Sequence, residues 1–431
     1  MKILVIGSGG REHAICWSIL KNSSVDKIFC APGNAGIANI ADIVDIDALD
    51  MKKLAAFAIE ENIDLTIVGP EQPLSEGIVD FFRDNGLLIF GPDKHSSQLE
   101  SSKEFSKIFM KKYKIPTAEF ESFSDIELAR AYVNSSRLPL VVKADGLAAG
   151  KGVRVCHSRD EALEFLAFLM EDKIFAESGE KVVIEEFLEG EEASFFVFTD
   201  GKTILPLDSS QDHKRLLDND LGPNTGGMGA YSPAPIIDEE TRKNIMLDIV
   251  HPVFEGFKSD GIDYTGVLYI GLMIKDKKSK VVEFNCRFGD PETQPLLFRL
   301  QSDALDLFYK TAKGELDSYD LSWKNKSSVT VVLSANGYPM KPEKGKSIQG
   351  LNDFKQKDVF VFHAGTKNVD GVVKISGGRV LGVTADGETL NEAIISVYNA
   401  IEQIDTSNLF YRKDIGQKGL WKKSKVSWHK L

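Results

Sequence analysis

Between residues 281 and 292 the chain reads Val-Val-Glu-Phe-Asn-Cys-Arg-Phe-Gly-Asp-Pro-Glu. Apolar and polar residues alternate, which predicts a strand with Val282, Phe284, Cys286 and Phe288 on one face and Glu283, Asn285 and Arg287 on the other. A carboxylate and an amide oxygen side by side are hard-oxygen donors that suit Mg²⁺ and leave coordination positions for water and phosphate. A guanidinium two residues further on can meet a carboxylate or phosphoryl group with two parallel hydrogen bonds. An edge strand with a solvated polar face would show the same alternation, so other parts of the chain must decide.

Three further stretches point to phosphate. Gly7-Ser8-Gly9-Gly10-Arg11-Glu12 lies between an apolar strand and a helix, where backbone N–H groups can meet a phosphate. The dinucleotide fingerprint needs a third glycine where Glu12 stands, so a monophosphate or a plain tight turn fits better than a cofactor pyrophosphate. The run from Val142 to Val153 sets Lys143 at a strand end, followed by Gly146, Gly150 and Gly152 with Lys151 among them. Mobile backbone amides and ammonium groups suit a polyphosphate, yet Asp145 and Gly152 stand where a Walker A loop needs glycine and a hydroxyl. The acidic turn around Glu185, Leu188, Gly190 and Glu192 could hold a ribose and an amino-purine edge, or be only solvated. The loops 211–215 and 222–229 are dense in glycine and polar groups, as backbone close to a ligand would be. His213 sits in a charged run and by itself does not indicate acid–base chemistry.

The elements that must position these groups follow from hydrophobic periodicity. Strands at 3–6, 27–30, 65–68 and 87–90 alternate with helices at 12–20, 51–61 and 76–84, a βαβ series that predicts a doubly wound parallel sheet. A helix at 101–113 leads into a second region. It holds strands at 138–143, 181–185, 195–198, 266–273 and 280–286 and helices at 160–170, 238–258 and 292–313. Residues 317–327 are polar and read as a linker. The remainder is β-rich (329–333, 359–363, 379–383) and closes with a helix at 389–404. The expected organisation is therefore α/β and α+β multidomain, with an N-terminal domain at 1–102, a central domain at 103–316 and a C-terminal β-rich domain at 325–431. A chain of 431 residues accommodates several domains.

The net charge of −12 argues against a broad nucleic-acid surface but not against small anionic substrates. Cys16, Cys30, Cys156 and Cys286 are far apart and form no CxxC pair, so reduced thiols in a cytoplasmic protein are expected rather than zinc or disulfides. No apolar segment is long enough to span a membrane, and the first apolar run is too short for a signal peptide.

Taken in order, these motifs resemble the ATP-grasp ligases and, within them, the phosphoribosylamine–glycine ligase (glycinamide ribonucleotide synthetase) family. The resemblance covers nearly the whole chain, through segments 7–14, 31–36, 68–71, 143–153, 184–194, 211–215, 222–233, 283–294 and 376–383. Arg287-Phe288-Gly289-Asp290-Pro291-Glu292-Thr293-Gln294 is its most specific part.

The resemblance implies a carbon–nitrogen ligase of purine biosynthesis that joins glycine to 5-phosphoribosylamine through a glycyl phosphate, giving glycinamide ribonucleotide, ADP and phosphate. It implies a central ATP-grasp fold with a mobile lid at about 116–192, ATP as co-substrate and Mg²⁺ or Mn²⁺ as cofactor. It implies ATP contacts from Lys103, Lys143, Gly150, Lys151, Gly152, Glu185, Leu188 and Glu192, and metal ligation by Glu283 and Asn285. Substrate contacts are implied for Gly9, Gly10, Arg11, Glu71, Asp212, Lys214, Asn224, Gly226 and Arg287, with Arg287 and Lys143 in catalysis. The expected partners are the small-molecule substrates alone, with no nucleic acid and no membrane, and a monomeric chain. The strand at 266–274 lacks the additional metal-binding carboxylate that many ATP-grasp enzymes carry there. A nicotinamide dehydrogenase is disfavoured by Glu12. A non-catalytic nucleotide-binding regulator would be expected to lack Lys143, Glu283, Asn285 or Arg287, all of which are present.

Overall fold

The computed structural model describes residues 1–147, 152–171, 180–351 and 358–420. The chain opens with five parallel strands: β1 (Lys2–Gly7), β2 (Lys27–Pro32), β3 (Asp42–Ile43), β4 (Leu65–Val68) and β5 (Ile89–Phe90). Their spatial order is β3-β2-β1-β4-β5, a doubly wound sheet whose strand order reverses between β1 and β4. Ile3, Leu4, Val5 and Ile6 are all buried because helices cover both faces. The covering helices are α1 (Gly10–Ile19), α2 (Met51–Glu60), α3 (Glu71–Glu76) and α4 (Ile78–Asp84). The helix expected at 76–84 is α4, and the preceding α3 was not expected; Gly77 parts the two at φ +95°, a left-handed conformation that favours glycine. The helix expected at 101–113 is α6 (Lys103–Lys112), preceded by the short α5 (Gln98–Ser101); Ser102 between them is extended and caps α6 by accepting from Phe105 N–H at 3.1 Å.

The central region carries two antiparallel sheets. One is ordered β6-β9-β7-β8, from β6 (Phe120–Phe123), β7 (Leu140–Ala144), β8 (Val153–Cys156) and β9 (Val182–Glu186), and packs on α7 (Ile126–Ser135) and α8 (Arg159–Met170). The other is ordered β11-β10-β16-β17, from β10 (Glu191–Asp200), β11 (Ile204–Pro206), β16 (Thr265–Lys275) and β17 (Lys278–Asn285). Between β11 and β16 run β12 (Gln211–Asp212), the hairpin β13 (Arg215–Leu217) and β14 (Leu221–Asn224), and β15 (Gly229–Ser232). They are followed by α9 (Glu239–Ile245) and α10 (His251–Asp260) with a π-helical stretch between them. After β17 come α11 (Thr293–Arg299) and α12 (Ala304–Lys313).

The C-terminal part supplies β18 (Ser327–Ala335), β19 (Val359–His363), the hairpin β20 (Thr366–Val369) and β21 (Val372–Ile375), β22 (Arg379–Gly387), α13 (Leu390–Ile401) and β23 (Leu409–Phe410). Its antiparallel sheet is ordered β12-β15-β18-β22-β19, so two strands from the middle of the chain complete it. Phe90 of β5, Phe198 of β10, Phe308 of α12 and Phe362 of β19 belong to one buried cluster, which also takes in Phe288. The Phe90 and Phe308 rings meet edge-on at 4.8 Å, and Phe288 lies 5.5 Å from Phe198. Burying an aromatic side chain contributes about 1.5–3 kcal/mol. Phe288 therefore anchors the turn that follows β17 in the core shared by the three regions.

Candidate active site

The strand that carries Glu283 and Asn285 departs from simple alternation. β17 ends at Asn285, two residues before Arg287. Glu283 pairs with Gly271 and Val281 with Leu272, so Val282 is the extra residue of a β-bulge. Val281 rather than Val282 therefore enters the core with Phe284 and Cys286. The bulge leaves Glu283 and Asn285 on the face away from that core. Gly271 opposite Glu283 brings no side chain, and a Cβ there would stand 3.2 Å from Glu283 Cγ.

Ammonium groups surround Glu283. Lys214 Nζ lies 3.8 Å from its Oε1 and 3.0 Å from Glu192 Oε2. Burial opposes ionisation of Glu283, yet Lys214, Lys143 and Lys103 together hold its carboxyl below the usual range. Asp212 is buried, which raises its carboxyl to about 7 against the pull of Lys214. Glu192, Asp212, Lys214 and Tyr269 line one small recess against Gly271 and Val282. Among the described residues no three His, Cys, Asp or Glu side chains converge as a metal cluster. A charged carboxylate beside an amide oxygen, with only two protein ligands, fits a hard divalent cation whose other positions go to phosphate and water.

Lys143, on β7, reaches across to the second sheet. Its Nζ donates to Val282 O at 3.3 Å and lies 2.9 Å from Glu185 Oε2 on β9. Lys103 is the first residue of α6, and its Nζ donates to Gly146 O at 2.9 Å. Asp145 docks on the same helix start, accepting from Glu104 N–H at 3.1 Å and from the Ser102 hydroxyl at 3.2 Å. The base of the glycine turn is thus tied to α6. Gly152 O accepts from Ala144 N–H at 2.7 Å, while Gly150 and Lys151 lie outside the described residues. Leu188 follows β9, half-buried, before Glu192 on β10.

Arg287 points towards the N-terminal domain. Its Nε donates to Glu71 Oε2 at 3.1 Å, its Nη2 pairs with Glu100 Oε1 at 2.7 Å and its Nη1 reaches Phe288 O at 3.3 Å. Arg287 first, opposed by burial, draws Glu71 down to about 2, whereas burial raises Glu100 to about 7. Glu71 begins α3 just after β4, and the glycine turn follows β1, so both sit where the strand order reverses. At that turn Glu12 accepts from Gly9 N–H at 2.5 Å and takes the Arg11 guanidinium at 2.6 Å. A Cβ on Gly69 would run into the Glu12 carboxylate. Glu12 thus takes a turn N–H that a pyrophosphate would need and brings a negative charge to the turn, which counts against a dinucleotide. Arg11 N–H donates to Asp290 Oδ2 at 3.2 Å, joining the turn at Gly9–Gly10 to the segment after β17.

A cleft of about 350 Å³ opens between that turn and the C-terminal domain, lined by Ser8, Gly9, Asn34, Asp290, Thr366 and Arg379. Arg379 donates to Gly226 O at 2.6 Å and to Asp290 O, and Gly226 N–H donates to Tyr338 Oη at 2.9 Å. Asn224 is exposed, opposite Arg215 in the β13–β14 hairpin, and is not among the residues that line the cleft. His213 is a core residue whose Nε2 accepts from Gly416 N–H at 3.4 Å, and burial pushes it down to about 3.

Sequence reasoning missed Lys107, Glu100, Asp290 and Arg379 as site residues. Lys107 had a legible signal, a second lysine one helical turn after Lys103. Asp290 and Arg379 lie in the segments 283–294 and 376–383 that carry the family resemblance, which was their signal, whereas Glu100 lies in none of those segments and meets Arg287 only through a tertiary contact.

The chain matches three family models described as the N domain, the ATP-grasp (A) domain and the C domain of phosphoribosylglycinamide synthetase, over residues 1–100, 101–293 and 328–418. It is 50% identical over 423 residues to the phosphoribosylamine–glycine ligase of Haemophilus influenzae and 49% identical over 423 residues to that of Vibrio parahaemolyticus. Each match covers 97% of this chain and 99% of the relative. The crystal structure of phosphoribosylamine–glycine ligase from Thermotoga maritima superposes with a TM-score of 0.84 at 33% identity, covering 96% of this chain and 100% of that one. With all three domains matched in order, and with the expected carboxylate and amide on β17 and the guanidinium just beyond its end, the chain belongs to the phosphoribosylamine–glycine ligase family of ATP-grasp enzymes.

Proposed function

We propose that the cleft around β17 uses ATP to phosphorylate the glycine carboxylate and passes the glycyl group to the amine of 5-phosphoribosylamine, yielding glycinamide ribonucleotide, ADP and phosphate for purine biosynthesis. One observation carries this reading. Within eight residues the chain runs from Glu283, surrounded by lysines, through Arg287 to Asp290, which accepts from the N-terminal glycine turn. This short segment therefore joins the lysine-lined region suited to nucleotide phosphates to the glycine turn suited to a ribose phosphate.

Lys103 and Lys143 contact the phosphates, with Gly150, Lys151 and Gly152 closing over them as part of a lid at about 116–192. Glu185 and the Leu188 backbone read adenine, and Glu192 takes the ribose hydroxyls. Glu283 and Asn285 hold Mg²⁺ or Mn²⁺, which when bound neutralises phosphate charge. Asp212, Lys214 and the Asn224–Gly226 segment hold glycine. Phosphoribosylamine lies in the cleft between Gly9, Gly10, Arg11 and Glu71 on one side and Arg379 on the other. Arg287 offers its two uncommitted N–H groups to the acyl phosphate. The glycine carboxylate oxygen attacks the γ-phosphorus and ADP leaves. The substrate amine then attacks the acyl carbon and phosphate leaves. No protein nucleophile is needed, and positioning and charge neutralisation supply the rate.

The chain is proposed to act as a monomer. The four described cysteines are free and buried, which supports a reducing cytoplasm. The test is product identification by mass after incubation with ATP, Mg²⁺, glycine and phosphoribosylamine, with other amino acids as controls. ADP release that does not depend on glycine would refute it.

A further inference from the structure

Lys107 lies on α6 one turn beyond Lys103 and is only 2% exposed. Its Nζ donates to Thr117 Oγ1 at 2.7 Å and lies 3.1 Å from Glu185 Oε2. Lys143 meets the same carboxylate oxygen at 2.9 Å. Two ammonium groups therefore converge on Oε2, whereas Glu185 Oε1 is buried and has no hydrogen-bond partner. A buried carboxylate oxygen without a donor is costly, so a ligand that supplies one gains by binding there. The two lysines already more than offset the carboxylate charge, so the missing donor is best a neutral N–H.

We infer that Lys107 is a positioning residue for the nucleotide base: it fixes the Glu185 carboxylate so that Oε1 receives the 6-amino group of adenine, and selection against 6-oxopurines depends on a lysine that does not touch the nucleotide. This rests on the reading of Glu185 as the adenine contact. A 6-oxopurine presents a carbonyl to the same oxygen, acceptor against acceptor. Thr117 fixes the other end of Lys107. Its hydroxyl hydrogen is donated to Val281 O at 2.7 Å, which leaves the oxygen to accept from the ammonium. Val281 N–H in turn donates to Pro116 O at 2.7 Å. Lys107 is thus seated at the junction between the start of the lid region and the strand that bears Glu283.

The experiment is calorimetric titration of the full chain with ADP and IDP, which differ at position 6 of the purine. Wild type, Lys107→Met, Lys107→Arg and Glu185→Gln are compared, with melting temperatures taken on the same preparations. Lys107→Met should weaken ADP binding by roughly tenfold or more, the worth of a charge-assisted hydrogen bond. IDP binding should stay within about threefold, so the ADP/IDP ratio collapses, and Lys107→Arg should restore part of it. If Glu185→Gln collapses the ratio and Lys107→Met does not, the inference is overturned and the Glu185 reading survives. If neither changes the ratio, the Glu185 reading falls and the inference with it. An equal loss for both nucleotides in Lys107→Met makes Lys107 a structural lysine and also overturns the inference. Should Lys107→Met fail to fold, Thr117→Val keeps the charge and removes its acceptor. A several-fold drop in the ADP/IDP ratio is then expected, and an unchanged ratio overturns the proposal.

Discussion

Arg287→Lys separates chemistry from architecture because the structure shows how the guanidinium is already spent. Its Nε–H donates to Glu71 at 3.1 Å and one Nη1–H to Phe288 O at 3.3 Å, and Nη2 is committed to an ion pair with Glu100 at 2.7 Å, which leaves one N–H each on Nη1 and Nη2. Glu71 and Glu100 belong to the N-terminal region, so the arginine ties that region to the segment after β17. An ammonium is a single point donor and does not span both carboxylates. Glu100 keeps Cys286 N–H at 2.7 Å and Glu71 keeps Arg11 at 3.9 Å, so the variant loses about one charge-assisted hydrogen bond, about 1.5–3 kcal/mol. A fall of a few degrees in Tm follows. If the two free N–H groups meet the acyl phosphate, kcat at a temperature well below Tm should also fall by roughly a hundredfold. ATP affinity should change little, because adenine and ribose are held elsewhere. Turnover and Tm are measured on one preparation. A variant with lowered Tm and kcat within about threefold of wild type would refute the catalytic role and leave Arg287 as a brace between Glu71 and Glu100.

Glu283→Ala should abolish most turnover at saturating Mg²⁺ while moving Tm little, since the residue lies on the polar face of β17; near wild-type turnover in a steady-state assay would remove it as a metal ligand. Arg379→Met should raise the KM for phosphoribosylamine by about tenfold with the KM for ATP unchanged, the loss expected for one charge-assisted contact; an equal change in both would place the substrate elsewhere. Burial holds His363 at about 4 and His13 well below its usual value, both neutral where the N- and C-terminal regions meet. The unfolded chain therefore binds more protons below pH ~6.5, and His363 contributes stability that is lost as pH falls from about 6.5 to 4, about 3 kcal/mol in all. Glu100 and Asp212, raised to about 7, act in the opposite sense over the same range. The readout is therefore the difference between wild type and His363→Gln in urea titrations at pH 7.5 and 5. An unchanged difference would show that His363 is not buried neutral.

Local pattern carries far in this chain. β4 and β19 fall on the residues expected from their short runs of β-branched and aromatic side chains, which favour strand wherever they lie. Glu12 in the glycine turn was already a reason to set aside a dinucleotide, and the run Arg287–Gln294 identified the family before any fold was in view. Tertiary structure decided the rest. The bulge at Val282 follows from the register against β16, a property of two strands that neither sequence displays. The C-terminal sheet takes β12 and β15 from more than ninety residues upstream of β18, so hydrogen bonding over long separations sets its edge. Arg287 was expected on the strand face beside Asn285; the strand ends first, and its guanidinium turns to Glu71 and Glu100. A charge in a sequence announces only its sign. Which opposite charge it meets, and how dry that meeting is, is fixed when distant elements pack, as with Lys107 and Glu185.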